Sequence, residues 1–315
     1  MKIIFTGTPD FSVPSLKELV KEDKINIEAV ITQPDKRRGR GKKVRYTPVK
    51  KEALKHDIEV LQPANINDDD FIKKLNKRDI DLMVVVAYGQ ILSKELLDLP
   101  RAGCINLHAS LLPEYRGSSP IQQAIMDGKD TTGVTTMFMD EGLDTGDIIY
   151  QREVAIKEEY NAGDLHDKLA EVGAKLLRET VVKLKEGSVP RLSQTEDKAS
   201  YTGQLSKEDG LIDWQKSSQD LYYFVKAMNP WPGSFTYLDG KLLKIFEVKP
   251  VDDNTDKKTG TVIKAEPEEG LYIQTGKGLL KIEKLQLAGK KRMSTPDFLR
   301  GYEIEEGTRL ESKKE

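Results

Sequence analysis

Apolar and polar residues in the first half of the chain follow two periods in turn, one typical of strands and one typical of helices. Continuous apolar runs, which are typical of strands covered on both faces, predict strands at residues 2–6, 27–32, 81–87 and 103–108. Apolar residues at helical spacing predict helices at residues 12–21, 48–56 and 162–186. Strands that alternate with helices predict a doubly wound, mostly parallel α/β sheet.

Local signals refine this pattern. Ser12 precedes the first helix and is predicted to cap its N-terminus. Strict alternation at 131–139 and 148–156 predicts two more strands, and the glycine- and aspartate-rich residues between them predict a loop. Such sheets bind ligands at the carboxyl ends of their strands. We therefore expect functional residues at 6–9, 88–89 and 106–110.

The character of the chain changes after residue 187. Residues 187–200 are polar and predict a linker, and residues 221–228 predict a short helix. From residue 234 onward, short apolar segments are separated by Gly, Asp and Asn turns, which predicts a small β-barrel or sandwich. Between them, residues 229–233 (Asn-Pro-Trp-Pro-Gly) predict either a rigid junction or a contact with substrate.

Composition restricts the class of protein. A chain of 315 residues is long enough for two domains, and its net charge of −2 argues against a uniformly basic nucleic-acid binder. The one cysteine, Cys104, excludes an intrachain disulfide, and the sequence has no Cys/His cluster for structural zinc. The first residues resemble a strand rather than a signal peptide, and no apolar run could span a bilayer. We expect a cytoplasmic protein without a metal.

Asn106 and His108 are the side chains best placed for chemistry. They are two residues apart at a strand end, so both can enter one pocket. An amide can donate to a developing oxyanion, and an imidazole can relay a proton. Asp144 and Asp147 are both candidates for a carboxylate that orients the imidazole. The alternative is structural, with the amide and imidazole satisfying backbone groups and the aspartates forming Asx turns.

Other mechanisms fit the sequence poorly. Ser110 and Ser118 do not lie in a G-x-S-x-G turn, so a serine nucleophile is not predicted. The residues after the first strand, Gly7-Thr8-Pro9-Asp10, match neither a P-loop nor a dinucleotide fingerprint. We therefore predict neither ATP nor NAD as a ligand.

A basic segment follows the second strand. Residues 34–46 hold seven basic side chains and one acid, with glycines that predict a flexible loop. It is either a solvated charge run or a contact to a phosphate backbone. Because it follows a strand that leads to the presumed ligand-binding edge, we favour a polyanionic substrate.

The chain resembles the methionyl-tRNA formyltransferases, which use 10-formyltetrahydrofolate, along nearly its whole length. Motifs in both halves carry the resemblance. They are Ile4-Phe5-Thr6-Gly7-Thr8-Pro9-Asp10-Phe11, Thr32-Gln33-Pro34-Asp35, Gly39-Arg40-Gly41-Lys42-Lys43, Val84-Val85-Val86-Ala87-Tyr88-Gly89, Asn106-Leu107-His108, Ser110-Leu111-Leu112-Pro113, Arg116-Gly117, Leu143-Asp144-Thr145-Gly146-Asp147, Ile212-Asp213-Trp214 and Asn229-Pro230-Trp231-Pro232.

The resemblance implies a formyltransferase-type catalytic domain at 1–189, a linker at 190–206 and an OB-like β-barrel at 207–315 that contacts tRNA. It implies 10-formyltetrahydrofolate as cosubstrate, and as acceptor the α-amino group of methionine on initiator methionyl-tRNA. By motif, the catalytic residues would be Asn106, His108 and Asp144. The folate-contacting residues would be Ser110, Leu111, Leu112 and Pro113, and the tRNA-contacting residues Arg40, Lys42 and Lys43. We expect a monomer.

Two alternatives remain open. One is another formyltetrahydrofolate enzyme, such as a sugar-nucleotide formyltransferase or a formyl-folate hydrolase, which would share the trio but would not need the basic segment. The other is a nucleic-acid-binding module on a catalytically inactive α/β scaffold. The intact Asn106, His108 and Asp144 argue against that second alternative.

Overall fold

The computed structural model of the chain describes residues 1–38, 43–187 and 189–311, without the side chains of 37, 38 and 43. The chain divides into two compact units. The first comprises Met1–Pro120, Thr131–Ala155 and His166–Thr202. The second comprises Ile121–Asp130, Ile156–Leu165 and Gly203–Glu315.

A seven-stranded sheet organises the first unit. The strands of this unit are, in chain order, β1 (Lys2–Gly7), β2 (Asn26–Ile31), β3 (Lys36–Arg38), β4 (Lys43–Arg45), β5 (Val60–Leu61), β6 (Leu82–Val86), β7 (Cys104–His108), β8 (Arg116–Gly117), β9 (Thr131–Phe138), β10 (Ile148–Ala155) and β11 (Tyr201–Thr202). The large sheet has the order β10-β9-β7-β6-β1-β2-β5. Strands β7, β6, β1, β2 and β5 are parallel to one another. Strand β9 pairs antiparallel with β7, and β10 pairs antiparallel with β9. The predicted mostly parallel sheet is therefore confirmed.

Helices cover both faces of this sheet. The α-helices among the described residues of both units are α1 (Val13–Val20), α2 (Pro48–Leu54), α3 (Asp69–Asn76), α4 (Lys94–Asp98), α5 (Pro120–Met126), α6 (Ala162–Lys185), α7 (Ser218–Met228) and α8 (Thr295–Leu299). On one face, residues of α3 and α4 share a core with Met83 and Cys104. On the other face, α6 approaches so closely that a Cβ on Gly173 would lie 2.9 Å from the Leu107 side chain. Apolar residues on both faces explain why the strands are continuous apolar runs.

Two local predictions differ from the structure. Ser12 does not cap α1, because a 3-10 turn over Asp10–Ser12 runs straight into the helix and leaves Ser12 with helical dihedrals. Its hydroxyl instead donates a 2.6 Å hydrogen bond to the carbonyl oxygen of Val86. The basic segment is not a loop throughout, because β3 and β4 pair at its two ends as an antiparallel ribbon.

The second unit is built on an antiparallel sheet. Its strands are β12 (Ser234–Leu238), β13 (Lys241–Val251), β14 (Val262–Glu266), β15 (Gly270–Gln274), β16 (Leu279–Leu287) and β17 (Met293–Ser294). They stand in the order β12-β13-β16-β15-β14, and β17 pairs with β16. Alternate apolar residues of the strands share one core with Trp214, Leu221 and Phe298.

A short segment near residue 310 joins the two outer strands of this sheet. Tyr237 of β12 pairs with Glu311, and Thr261, just before β14, pairs with Arg309. Backbone bonds from Leu310 to Gly260 and between Tyr237 and Glu311 measure 2.8 to 3.1 Å. The sheet thereby closes on itself, which confirms the predicted small β-barrel.

Candidate active site

The residues of the predicted trio lie around the carboxyl end of β7. Asn106 and His108 are two residues apart on this strand, so their side chains leave the same face of the sheet. Asp144 lies in the loop between β9 and β10, and its Oδ2 is 3.6 Å from Nδ1 of His108. His108 is buried, with 6% of its surface exposed, and Asn106 is partly exposed. The fold therefore brings an amide, an imidazole and a carboxylate to one place.

A backbone contact determines which nitrogen of His108 carries the proton. Nε2 lies 2.9 Å from the carbonyl oxygen of Tyr115. A carbonyl oxygen only accepts, so Nε2 is protonated and donates this bond. Nδ1, which faces Asp144, then carries a lone pair in the neutral ring and a proton in the imidazolium. Nδ1 is therefore the ring atom at which a proton can be gained or lost next to the Asp144 carboxylate.

Asp144 is held in place by its own backbone and by a neighbouring loop. Its φ of 54° lies in the left-handed region, which few residues other than glycine adopt. Its Oδ2 accepts a 2.8 Å hydrogen bond from the backbone N–H of Gly117. Asp147, which the sequence left open as an alternative, instead accepts a 3.1 Å bond from the Ser193 hydroxyl. The structure thus brings Asp144, and not Asp147, to His108.

The Asn106 amide is free to bind a ligand. The backbone of Asn106 is paired on both sides, with Val85 of β6 and Met137 of β9. Within residues 1–38, 43–187 and 189–311, no group forms a hydrogen bond with its side chain. Polar groups in a folded protein are seldom left without a partner, so this amide is well suited to donate to a bound molecule.

The segment Ser110 to Pro113 is held by two side chains that the sequence did not single out. Thr135 Oγ1 donates to the Ser110 carbonyl at 2.7 Å and accepts from the Leu112 N–H at 3.2 Å. Gln151 Nε2 donates to the Leu112 carbonyl at 2.8 Å. The Ser110 hydroxyl donates to the Glu114 carbonyl at 2.6 Å. These polar groups of the segment are already bonded, so it can offer a ligand mainly the apolar surfaces of its side chains.

The residues predicted as a linker run beside the site. Strand β11 pairs in parallel with β8, which follows the Ser110–Pro113 segment. Ser200 accepts from the Tyr115 N–H through its hydroxyl, and its carbonyl accepts from the Arg116 N–H, both at 2.8 Å. Arg116 is fully buried and donates to both carboxylate oxygens of Glu196, at 3.1 and 2.9 Å. The polar composition of residues 190–206 gave no signal of these contacts.

A second concave surface lies at the same edge of the sheet. It is a cavity of about 380 Å³ beside the ends of β1 and β2. Strand β1 is two strand spacings from β7, a distance of about 10 Å across a sheet. Lys36, Arg45 and Lys51 line it, and none of them has an acidic partner in the described part of the chain. The other lining residues are Thr8, Pro9, Asp10, Gln33, Pro34, Tyr46, Thr47 and Pro48.

The base of the basic ribbon is anchored to the first unit. Lys50 Nζ lies 2.5 Å from the Asp35 carboxylate and 2.7 Å from Gln62 Oε1, and it covers the Tyr46 ring at 4.1 Å. Burial alone would raise the pKa of Asp35, but the bonds from Lys50 and Gln62 outweigh it and lower that pKa. Of the predicted tRNA-contacting residues, Arg40 and Lys42 lie outside the described residues. Lys43 begins β4, and its side chain is not described.

Cys104 lies beneath the site and takes no part in it. The thiol is buried in the core shared with α4, and burial raises its pKa to about 12. The described residues contain no group of three or more His, Cys, Asp or Glu placed to hold a metal ion. In the same part of the chain, no helix is long and apolar enough to cross a membrane.

Comparison with known proteins identifies the family. The profile of the formyl transferase family matches residues 1–181, and that of the formyl transferase C-terminal domain matches 204–303. A methionyl-tRNA formyltransferase of Halothermothrix orenii is 51% identical, over 98% of this chain and 100% of the relative. One of Agathobacter rectalis is 47% identical, over 98% and 99%. The crystal structure of an N-formyltransferase from Helicobacter canadensis shares the fold, with a TM-score of 0.65 and 19% identity over 92% of this chain and all of that one. The chain belongs to the formyl transferase family, among the methionyl-tRNA formyltransferases.

Proposed function

We propose that this formyltransferase moves the formyl group of 10-formyltetrahydrofolate to the α-amino group of methionine on initiator tRNA, giving N-formylmethionyl-tRNA for translation initiation. The observation that carries the proposal is the 51% identity to a methionyl-tRNA formyltransferase over 98% of this chain and all of that relative. The approach of His108 to Asp144 beside the free Asn106 amide supplies groups suited to this chemistry.

In the proposed reaction, the methionyl amine attacks the formyl carbon and a new C–N bond forms. The Asn106 amide donates to the oxygen that becomes negative, together with the His108 imidazolium. The bond from the formyl carbon to N10 of the folate then breaks, N10 gains a proton and the amine loses one. Asp144 faces Nδ1 of His108, and a proton carried at this nitrogen can pass between amine and N10, directly or through water.

The donor is proposed to lie against Ser110, Leu111, Leu112 and Pro113. Since the polar groups of Ser110 and Leu112 are bonded within the protein, the contact they offer is mainly apolar. The N-formyltransferase from Helicobacter canadensis that shares the fold was crystallised with folinic acid, a formyl folate. This likeness favours a folate as the donor here as well.

The acceptor end of the tRNA is proposed to lie over the basic ribbon. Arg40, Lys42 and Lys43 would contact its phosphates, and the free cations Lys36 and Arg45 extend this surface into the 380 Å³ cavity. The β1 side of the cavity is about 10 Å across the sheet from the His108 strand, which is a suitable distance for the terminal nucleotide that carries the methionine.

The barrel offers a second cationic surface for tRNA. Lys281 and Lys284 are paired with acids, whereas Lys241, Lys244, Lys290 and Lys291 have no acidic partner in the described part of the chain. Lys241 and Lys290 each follow a turn. The two turns lie side by side, because the Ala288 N–H donates a 2.9 Å hydrogen bond to the Leu242 carbonyl. We propose that this end of the barrel contacts the tRNA, and that the chain acts as a cytoplasmic monomer.

The decisive experiment supplies the protein with 10-formyltetrahydrofolate and methionyl initiator tRNA and measures N-formylmethionine by mass spectrometry after hydrolysis of the ester. Formation of N-formylmethionine, with little on methionyl elongator tRNA, is the expected result. Release of formate without N-formylmethionine would overturn the proposal in favour of a formyl-folate hydrolase. Formylation of an amino-sugar nucleotide in place of the tRNA would identify the other alternative.

A further inference from the structure

Gln194, in the segment predicted as a linker, is bonded at both ends of its side-chain amide. Nε2 donates to the carbonyl oxygens of Asp144 and Gly146, both at 2.8 Å. Oε1 accepts a 3.0 Å bond from Nε of Arg116. Carbonyl oxygens only accept and a guanidinium only donates, so the amide can satisfy all three partners in one orientation only.

These partners belong to the two loops that form the candidate active site. Gly146 and Asp144 are in the loop that carries the carboxylate, and Arg116 directly precedes Gly117, whose N–H binds that carboxylate. Arg116 is itself fixed, because it is fully buried and also donates to the Tyr201 hydroxyl at 2.8 Å. Gln194 therefore joins the backbone of the Asp144 loop to a rigid point on the Gly117 loop.

The conformation of Asp144 shows why such a bond is needed. A left-handed φ is strained at a residue other than glycine, so an unrestrained loop would favour other conformations. A bond to the carbonyl of Asp144 fixes the peptide plane that follows it, and the bond to Gly146 fixes the next turn of the loop. The carboxylate is then held against Gly117 and 3.6 Å from His108.

We propose that Gln194 is a positioning residue for formyl transfer, which acts by holding Asp144 in the place where its carboxylate faces His108. This inference rests on the proposed function. It gives Gln194 a role in the active site, although the segment around it was predicted as a passive connection between domains.

Kinetics of Gln194→Ala test the role. We expect kcat to fall about 10- to 100-fold, because small displacements of catalytic groups have effects of this size, while KM for folate and for tRNA changes less than about twofold. Gln194→Glu keeps an acceptor for Arg116 but loses both N–H donors to the carbonyls, and we expect its kcat to fall as far as that of Gln194→Ala. Asp197→Ala, an exposed side chain in the same segment, is the matched control and should retain wild-type turnover.

A double-mutant cycle separates positioning from general damage to the fold. If Gln194 acts through Asp144, then Gln194→Ala should lower kcat by less than about twofold in an Asp144→Ala background. If the fold-decrease in kcat of the double variant equalled the product of the two single decreases, the proposal would be overturned. Near-normal turnover of Gln194→Glu would also overturn it, because the bonds to the two carbonyls would then have no effect.

Hydrogen exchange gives a measurement that does not depend on activity. In Gln194→Ala the Gly117 amide should exchange at least about tenfold faster, because its bond to Asp144 opens more often, while Asp197→Ala should leave it unchanged. Unchanged exchange of Gly117 in Gln194→Ala would overturn the positioning role by itself. A wild-type chain without formyl transfer would instead overturn the proposed function, and exchange at Gly117 would still decide whether Gln194 holds Asp144.

Discussion

His108 and Asp144 approach each other through one nitrogen and one oxygen, Nδ1 and Oδ2, at a separation of 3.6 Å. This distance is longer than a hydrogen bond, and the opposite nitrogen of the ring is already used by the Tyr115 carbonyl. The carboxylate therefore acts on His108 mainly through its charge. A bound substrate or a water molecule can complete the contact between the two groups.

Replacement of Asp144 by asparagine should remove this charge with little change in shape. We expect kcat to fall by about 10²–10⁴-fold, the range seen when an acid–base group is disabled. Asp147→Asn, the same substitution in the same loop, is the matched control and should stay near wild type, because Asp147 contacts Ser193 instead of His108. If kcat fell equally in the two variants, the effect would reflect a general sensitivity of the loop, and the assigned role of Asp144 would be contradicted.

Asn106→Ala should remove an oxyanion donor. We expect kcat to fall about 10²–10³-fold, with folate affinity, measured by isothermal titration calorimetry, changed less than about threefold. Asn106→Asp keeps the shape but loses the N–H donors, so it should be at least as impaired. Turnover close to wild type in Asn106→Ala would contradict the assignment.

The basic ribbon should determine how the reaction depends on salt. Arg40→Ala should raise KM for tRNA and reduce the slope of log(kcat/KM) against log[salt] by about one, as expected for the loss of one phosphate contact. Lys73→Ala on the exposed face of α3, where Lys73 pairs with Asp70, is the matched control. A slope that is equal in wild type and Arg40→Ala would mean that Arg40 is only a solvated charge.

Cys104 should be chemically inert in the folded protein. Burial raises its pKa to about 12, so at pH 8 the native thiol should not react with a thiol reagent, whereas the denatured chain should react fully. The unfolded thiol loses its proton near pH 9, whereas the folded thiol keeps its proton there. Raising the pH above 9 therefore lowers the free energy of unfolding. Stability from this group is complete below pH 9 and declines toward pH 12, and Cys104→Ala should reduce that decline. Rapid labelling of native protein at pH 8 would contradict the burial.

Gly117→Ala should damage both stability and activity. Gly117 has a φ of 106°, and a Cβ there would collide with the Thr202 carbonyl. We expect a loss of more than about 2 kcal/mol in the free energy of unfolding, from strain and overlap together, with a loss of activity because Gly117 binds Asp144. Gly187→Ala is the matched control: its φ is also positive, at 85°, but no atom of the described residues would lie within 4 Å of a Cβ there. Its loss should be limited to about 1 kcal/mol of strain.

The parts of the fold that depend on local pattern were predictable from the sequence. Strands such as β6 are continuous apolar runs, and their positions agree with prediction to within one or two residues. Ser12 was wrongly predicted as a cap, because its hydroxyl binds Val86, a residue 74 positions away that no local pattern reveals. The boundaries proposed for the two domains and the linker stay a prediction.

The candidate site was predictable only in part, for a similar reason. Asn106 and His108 are near neighbours in sequence, so the periodicity of a strand was enough to pair them. Thr135, Gln151 and Gln194 reach the site through side-chain hydrogen bonds from distant segments. A lone threonine or glutamine has no sequence signal of its own, so contacts of this kind become visible only in three dimensions.

The closure of the barrel by residues 307–311 also has a consequence for biosynthesis. Ribosomes make chains from the N-terminus, so β12 and β14 are synthesised well before Arg309 and Glu311, which join them. Until then, both strands present unpaired backbone N–H and C=O groups that can pair with another chain. The second unit therefore passes through an open-edged intermediate on every round of synthesis, and shortening the chain before residue 307 should make that vulnerable state permanent.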